Sequence, residues 1–514
     1  MRVERYELRV RIDPWAANNL QARGTIDLVN GGEPYSEFFL YLHPSLRVTR
    51  FACPGARLEE PAGEHPLGYA GRGLHLTFEP PVKPGGRMRV SLAWEGHLAG
   101  IVWGYCMIAE HLVELRDFAC WYPLPGGHVT GFSWVMDLDL PAGGYPLPTT
   151  EVCNGRLVGR RTTGERLYAK WTSADATTDI NVLASSYFKH RAASRDRHEG
   201  RVYYAFMSHD QAATMLEQML DTLEFLSAAL GPNEKVEGPR HAVNLVFAPR
   251  FAEGGYVYGR LMVTSEPQYI LVLNYPESAR AYPTYGVAHE LAHWWWREQV
   301  SVDRTTWHDW LMEALAEYWA ARVDEWFIGR DKAVTIFADY RERVSRLRRA
   351  QPISRTTFDS GDRYVLWYVK GAWVLRMLEF LVGREAFDRA IREFYRRHRG
   401  RRVDTRDFIE CFREVTRRDL EWFFEQWLER GEVPRLLVTW RRPGRAVEVD
   451  VEQEAEGACF RLDTELRLRL AGGDSRVERV TIEGARNRFR FDLGAGETVA
   501  GVDLDPGEVS LFRR

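Results

Sequence analysis

The sequence predicts a multidomain α+β protein, because the spacing of its apolar residues changes twice along the chain. Apolar and polar residues alternate over roughly the first two hundred residues, as they do in half-buried strands. Helical spacing then dominates, and alternation returns over roughly the last eighty residues. A length of 514 residues leaves room for about three domains.

Residues 1–208 are predicted to form an antiparallel β domain. Alternation is clear over residues 6–12, and similar short runs recur as far as Trp171. Pairs such as Pro54-Gly55 and Gly126-Gly127 separate these runs, as turn residues separate strands. No amphipathic segment of helical length interrupts the pattern.

Residues 209–433 are predicted to form a mainly helical domain. An apolar stripe over residues 210–230 stops at Gly231-Pro232, a short β-like segment covers residues 242–247, and residues 284–427 are mostly helical in pattern. Thr405 and Asp419 are the predicted N-caps of two later helices. Residues 434–514 return to alternation and are predicted to form a small β-sandwich.

The composition excludes several classes of protein. Lys and Arg number 69 against 72 Asp and Glu, so the net charge of -3 gives no support for a nucleic-acid partner. Six cysteines without a Cys-x-x-Cys pair predict neither a disulfide framework nor a cysteine metal site. The N-terminus has no apolar signal region, and no run of about 18 apolar residues occurs. We therefore expect a cytoplasmic protein without a membrane partner.

The most informative segment is His289-Glu290-Leu291-Ala292-His293. Positions i and i+4 of a helix share one face, so His289 and His293 can offer two imidazole nitrogens to one metal ion. Glu290 lies beside that pair, where it can act on a water molecule at the metal. Zinc accepts such ligands and keeps one position open, so we expect one Zn²⁺ per chain.

A third zinc ligand is expected from a second helix. Glu313 is the candidate, and Glu317 follows it by one helical turn on the same face. Metal-bound histidines usually donate their second N–H to a carboxylate or a carbonyl, so Glu317 is expected to support one of the two histidines. Considered alone, each of these glutamates would be interpreted as a surface acid.

Several blocks in one order resemble the M1 aminopeptidase-like family of zinc metallopeptidases, in its short form without a C-terminal helical domain. Residues 289–293 resemble the family's zinc helix, and residues 310–318 resemble its third-ligand helix. The Tyr-x-Lys-Gly segment at Tyr368 resembles the block with the catalytic tyrosine, and residues 423–434 resemble the end of the catalytic domain.

The resemblance implies a thermolysin-like, mainly helical catalytic domain between two β domains, and a peptide substrate. It implies that Glu290 is the general base and that Tyr368 stabilises the transition state. A phenol O–H suits this role, because it can donate to the oxyanion that develops as water attacks a carbonyl. Without the resemblance, Tyr368 would be interpreted as a core or groove aromatic residue.

The chain departs from the family in two places. Nineteen residues separate His293 from Glu313, one more than the family usually has, and the usual spacing falls on Met312. We place the extra residue in the polar stretch 304–308, where a longer loop need not disturb either helix. His308 in that stretch is expected to lie away from the site.

The second departure concerns the expected substrate-binding residues Gly254, Gly255, Tyr256 and Val257. In family aminopeptidases a glutamate of this segment binds the substrate's α-amino group, and Val257 stands in its position. Valine cannot bind an ammonium ion, although the glycines let a backbone approach closely. Glu253 is a weak substitute, and Glu114 is expected at the surface rather than in the cleft.

The leading interpretation is a zinc metallopeptidase of the aminopeptidase type. Val257 keeps open an endopeptidase or another mode of cleavage, and a hydrolase of small non-peptide substrates is a further alternative. A non-catalytic scaffold that binds other proteins is disfavoured, because all five expected site residues are present: His289, Glu290, His293, Glu313 and Tyr368.

Overall fold

The computed structural model describes residues 1–60, 63, 65, 71–98, 106–126, 131–143, 146–173, 176–237, 242–250, 254–266, 284–304, 306–347 and 350–514. The chain divides into two compact units: Met1–Leu220 with Lys235–Leu271, and Asp221–Glu234 with Val272–Arg514. The division into three domains at residues 208 and 433 stays a prediction. No helix of the described ranges is long and apolar enough to cross a membrane, and the cytoplasmic location also stays a prediction.

The first unit is built mainly from β-strands. They are β1 Arg2–Ile12, β2 Leu20–Val29, β3 Tyr35–Leu42, β4 Leu46–Ala52, β5 Ala56–Glu59, β6 Arg72–Val82, β7 Arg87–Gly96, β8 Met107–Ile108, β9 Val113–Leu115, β10 Leu124–Pro125, β11 Ser133–Pro141, β12 Thr150–Cys153, β13 Arg156–Thr163, β14 Arg166–Thr172, β15 Val182–Ser185, β16 Lys189–Arg195, β17 His198–Tyr204, β18 Val243–Ala248, β19 Gly255–Tyr258 and β20 Leu261–Ser265.

Alternation along these strands makes one face of the largest sheet apolar. Its seven strands have the order β13-β14-β11-β1-β2-β7-β4, and in β11 every second residue is buried. Most neighbours are antiparallel, while β1 and β11 run parallel. The apolar face packs into a core with two smaller four-stranded sheets, and Trp94, Trp121 and Trp134 lie fully inside it.

A five-stranded sheet of the first unit contains the segment with the expected substrate-binding residues. Its order is β16-β17-β18-β20-β19, with β17, β18 and β20 parallel and β19 antiparallel to β20. β18 is buried along its whole length, as expected for a strand covered on both faces. β19 is the last strand of this order, so one of its edges has no strand partner within the described ranges.

The α-helices of the described residues lie within residues 209–433, the region that the sequence predicts to be mainly helical. They are α1 His209–Leu230, α2 Thr284–Ala292, α3 Trp310–Ile328, α4 Arg330–Ser345, α5 Gly371–Val382, α6 Arg384–His398, α7 Thr405–Thr416 and α8 Glu421–Leu428. α3 is buried on nearly all sides. The predicted N-cap Thr405 is wrong by one residue, because Asp404 caps α7 in a reciprocal pair with Asp407.

The second unit also contains two short strands among the helices and six C-terminal strands. They are β21 Val300–Ser301, β22 Arg401–Arg402, β23 Arg435–Arg441, β24 Ala446–Glu454, β25 Leu462–Leu470, β26 Ser475–Ile482, β27 Arg486–Asp492 and β28 Val499–Leu504. Two three-stranded sheets, β23-β24-β27 and β26-β25-β28, account for the last of the three regions. The order of β region, helical region and β region confirms the predicted fold class.

Candidate active site

The His-Glu-x-x-His segment lies at the C-terminal end of α2. His289 and Glu290 belong to the helix, whereas His293 follows its last residue in a tightened turn, with the His293 N–H donating to Glu290 O at 3.2 Å. The turn keeps both histidines on one side, with ring centroids 4.8 Å apart. Glu290 is partly exposed, while both histidines are buried.

Three side chains from α2, its following turn and α3 converge on one point. The Nε2 atoms of His289 and His293 lie 3.5 and 3.3 Å from Glu313 Oε2, and the three ligand atoms lie within 4.8 Å of one another. Glu313 Oε2 is buried and has no hydrogen-bond donor among the described residues. Two imidazole nitrogens and a free carboxylate oxygen fit a zinc ion.

Each histidine is oriented by a second contact at its Nδ1. His289 Nδ1 lies 2.6 Å from Glu317 Oε2, and His293 Nδ1 lies 3.0 Å from Trp296 O. Both Nε2 atoms are therefore the ones that face Glu313. Burial lowers the pKa of His289, but Glu313 and Glu317 outweigh it and raise that pKa to about 10, so the pocket favours positive charge.

Glu317 is itself held from two sides. The Tyr340 hydroxyl donates to Glu317 Oε1, and the Tyr285 hydroxyl donates to Glu317 O at 3.2 Å. The two hydroxyls lie 2.5 Å apart. This buried group of α2, α3 and α4 residues fixes the carboxylate that faces His289.

Arg297 contacts the other oxygen of Glu313, and no sequence motif predicts this contact. Its Nη2 donates to Glu313 Oε1 at 2.5 Å and lies 3.7 Å from Asp309 Oδ1. Burial raises the pKa of Glu313, but Arg297 and the histidines hold it well below its usual range. The only sequence signal is a basic residue four positions after His293, which alone indicates nothing.

Tyr368 lies beside His289 on a π-helical turn. Tyr364–Lys370 is π-helical and continues directly into α5, and such widened turns are frequent at functional sites. The Tyr368 ring stacks on His289 with centroids 5.6 Å apart and an angle of 10°. Burial and the nearby Glu313 raise the pKa of Tyr368 well above its usual value, so its hydroxyl stays protonated.

Four residues near the predicted zinc ligands in the sequence have packing or hydrogen-bonding contacts. Trp294, Trp295 and Trp296 are fully buried, as expected for packing residues. His308 lies with its Nδ1 2.9 Å from Thr405 Oγ1, at the start of α7.

The expected substrate-binding residues lie in the first unit. Gly254 has φ of 91°, and Gly255, Tyr256 and Val257 form β19, with Val257 buried. Glu253 lies outside the described residues. The structure therefore places the segment on an edge strand and leaves its role a proposal.

The expectation that Glu114 is a surface acid is wrong. Glu114 is fully buried, with Oε2 3.1 Å from Arg250 Nε, and it accepts a hydrogen bond from the Tyr256 hydroxyl at 3.0 Å. Burial raises its pKa, and Arg250 opposes the rise. A buried carboxylate needs such a partner, and neither Arg250 nor Tyr256 is close to Glu114 in the sequence.

A His-Glu-x-x-His pair joined by a glutamate from the next helix defines a zinc metallohydrolase type of site. Residues 218–427 match the sequence profile of the peptidase family M1 domain. Aminopeptidase N of Streptomyces lividans is 29% identical over 280 residues, which cover 51% of this chain and 30% of that protein. The match thus spans less than a third of the length of that relative.

Solved structures show the same fold. Aminopeptidase A of Legionella pneumophila, in complex with aspartic acid, has a TM-score of 0.76 at 13% identity over 99% of this chain and 59% of that one. The M1 zinc metallopeptidase of Deinococcus radiodurans has a TM-score of 0.65 at 19% identity over 84% of this chain and 94% of that one. A mutant of that peptidase was solved with a Tyr-Ser-Ala substrate. Residues 218–427 therefore match the M1 peptidase domain, and the chain shares its fold with a solved M1 zinc metallopeptidase.

Proposed function

We propose that the protein is a zinc-dependent metallopeptidase that hydrolyses peptide bonds with one zinc ion per chain. The convergence of His289, His293 and Glu313 on one point carries the proposal. Glu290, on the same helix as His289, supplies the general base that such a reaction requires. Tyr368, on the π-helical turn before α5, supplies the hydrogen-bond donor for the oxyanion. The family domain and the relatives support the same assignment.

His289, His293 and Glu313 would hold the zinc ion, which when bound polarises the peptide carbonyl and acidifies the attacking water. Glu290 takes a proton from that water and passes it to the leaving amine. The Tyr368 hydroxyl donates to the oxygen of the carbonyl as its negative charge develops. Burial raises the pKa of Tyr368 well above its usual value, so the donor keeps its proton at neutral pH.

The aminopeptidase mode is our first choice. It is supported by the names of the relatives, of which Streptomyces lividans aminopeptidase N is one. An aminopeptidase needs a group that binds the substrate's ammonium ion, and Val257 cannot provide it. In this mode another carboxylate takes the place of the family's glutamate.

A second candidate is an endopeptidase, or a peptidase of substrates with blocked N-termini. Glu114 is the acid that contacts Tyr256 of the substrate-binding segment, and its charge is already paired with Arg250. A paired and fully buried carboxylate is a poor receptor for an external ammonium ion. This observation favours cleavage that does not require a free α-amino group.

One matched assay tests both modes. Purified, zinc-loaded protein receives each peptide in a free and in an acetylated form, and mass spectrometry identifies the products, with Glu290→Gln as the control. Stepwise loss of N-terminal residues from the free form alone supports the aminopeptidase, and internal cuts in both forms support the endopeptidase. Absence of zinc-dependent cleavage, or full activity in Glu290→Gln, would contradict the proposed function.

A further inference from the structure

We propose that Arg297 is a positioning residue that restricts Glu313 to one-oxygen coordination of the zinc ion. The inference rests on the proposed function, and it identifies Arg297 as a residue that helps to set the coordination number of the zinc ion. It concerns how many positions around the metal remain open to water and substrate.

The two oxygens of Glu313 face different partners. Oε2 lies 3.3–3.5 Å from the Nε2 atoms of His293 and His289, whereas Oε1 accepts a charge-assisted hydrogen bond from Arg297 Nη2 at 2.5 Å. A guanidinium holds a carboxylate oxygen firmly in a buried setting, and both side chains are largely buried. An oxygen so engaged does not turn to the metal.

The unusual backbone conformation of Arg297 indicates that its side chain is held in a specific position. Its φ of 141° lies in a region that favours glycine, and a bulky residue adopts it only when its surroundings compel it. The preceding peptide carries the Trp296 carbonyl that accepts the His293 Nδ1–H. One backbone conformation thus presents a carbonyl to His293 and a guanidinium to Glu313.

A simpler role for Arg297 would be to neutralise the negative charge of the nearby acids without restricting the orientation of Glu313. Asp309 immediately precedes α3, and Glu313 lies in its first turn. Both acids are buried, and Arg297 lies near both. The contacts are unequal, however, because Arg297 Nη2 is 2.5 Å from Glu313 and 3.7 Å from Asp309. A catalytic zinc site keeps one position for water and substrate, and a glutamate that used both oxygens would add a further neighbour beside the bound water and crowd that position.

The test compares wild type, Arg297→Gly and Arg389→Ala, each loaded with zinc. Glycine accepts the φ of 141° and removes only the side chain. Within the described part of the chain, Arg389 pairs only with Glu385, at 4.0 Å on α6, and it is the control for loss of a positive charge. X-ray absorption at the zinc edge gives the number of oxygen and nitrogen neighbours, and kcat and KM are measured on the same samples.

We expect Arg297→Gly to gain one oxygen neighbour, with kcat reduced about tenfold and KM changed less than about threefold. Arg389→Ala should match the wild type. An unchanged neighbour count in Arg297→Gly, or the same gain in Arg389→Ala, would overturn the inference while leaving the peptidase intact. Wild type that binds no zinc would instead overturn the proposed function.

Discussion

Gly371 lies against Ala314 so closely that a Cβ on the glycine would come within 2.7 Å of the Ala314 Cβ. Gly371 is the first residue of α5, directly after the π-helical turn with Tyr368, and Ala314 follows Glu313 in α3. The contact therefore packs the segment that carries the proposed oxyanion donor against the helix that carries the proposed zinc ligand.

Gly371→Ala is expected to weaken both the fold and the reaction. Alanine gains up to about 1 kcal/mol of helix propensity over glycine, but overpacking against α3 costs about 1–3 kcal/mol. We expect a net destabilisation of about 1 kcal/mol in urea unfolding and a fall of about tenfold in kcat. Gly361→Ala is the control, because nothing lies within 4 Å of its added Cβ. Equal stability and equal kcat in both variants would contradict the argument.

Glu317→Gln tests the support of His289. The amide keeps the shape of the side chain but loses the charge that faces His289 Nδ1 at 2.6 Å. Loss of such an outer partner typically weakens zinc binding by about 10–100-fold, and chelator competition measures the change. Glu325→Gln, on the same helix and paired with Arg384 at 2.7 Å, should bind zinc like wild type. Equal affinities in all three proteins would refute the supporting role.

Asp324 is expected to make stability depend on pH. Its carboxylate oxygens are buried without a hydrogen-bond partner in the described part of the chain, and burial raises its pKa to about 7. The folded state therefore keeps the proton that the unfolded state loses near pH 4. The stability from Asp324 is complete below about pH 4 and is lost as the pH rises to about 7.

Asp324→Asn removes this dependence, since an amide stays neutral. We expect the variant to equal wild type in stability near pH 4 and to be more stable at pH 8, by up to roughly 4 kcal/mol. Thermal unfolding at both pH values measures the difference. A variant that is no more stable than wild type at pH 8 would show that the Asp324 carboxylate is not destabilising there.

Arg341 anchors the end of the chain to the helices of its unit. It pairs with Asp505 and Glu508, donates to Ser510 O at 2.6 Å, and lies 4.4 Å from the Phe512 ring centroid. Removing one partner of a buried ionic cluster leaves uncompensated charge, which costs about 3–5 kcal/mol.

Arg341→Met is accordingly expected to lower the free energy of unfolding by several kcal/mol and to expose the tail to proteolysis. Arg346→Met removes an exposed pair with Glu342, and such pairs contribute about 0–1 kcal/mol. Urea unfolding and limited proteolysis compare the two variants. Similar losses in both would mean that the buried cluster contributes no more than a surface pair.

Local patterns predicted most of the fold and the centre of the site. Alternation identified the β regions, and the His-Glu-x-x-His spacing identified two residues that the structure brings together. Despite the extra residue of spacing, Glu313 Oε2 lies 3.5 and 3.3 Å from the Nε2 atoms of His289 and His293. The position of the extra residue in the stretch 304–308 stays a prediction.

Long-range contacts and unusual backbone could not be predicted. The π-helical turn at Tyr368 and the φ of Arg297 depend on packing that no short sequence pattern encodes. Glu114 looked like a surface acid because its partners Arg250 and Tyr256 are distant in the sequence. The sequence predicts the cap of α7 one residue late, because Asp404 and Thr405 are adjacent and both residue types cap helices.

The most direct test of the central claim measures zinc content and peptide cleavage on the same preparations of wild type and Glu313→Gln. The amide keeps the size of Glu313 but is a weaker zinc ligand and a weaker partner for Arg297. We predict one zinc ion per chain and peptide cleavage in wild type, with both lost together in the variant at a matched chelator concentration. Zinc retained in full by Glu313→Gln, or cleavage by wild type after complete removal of zinc, would contradict the assignment.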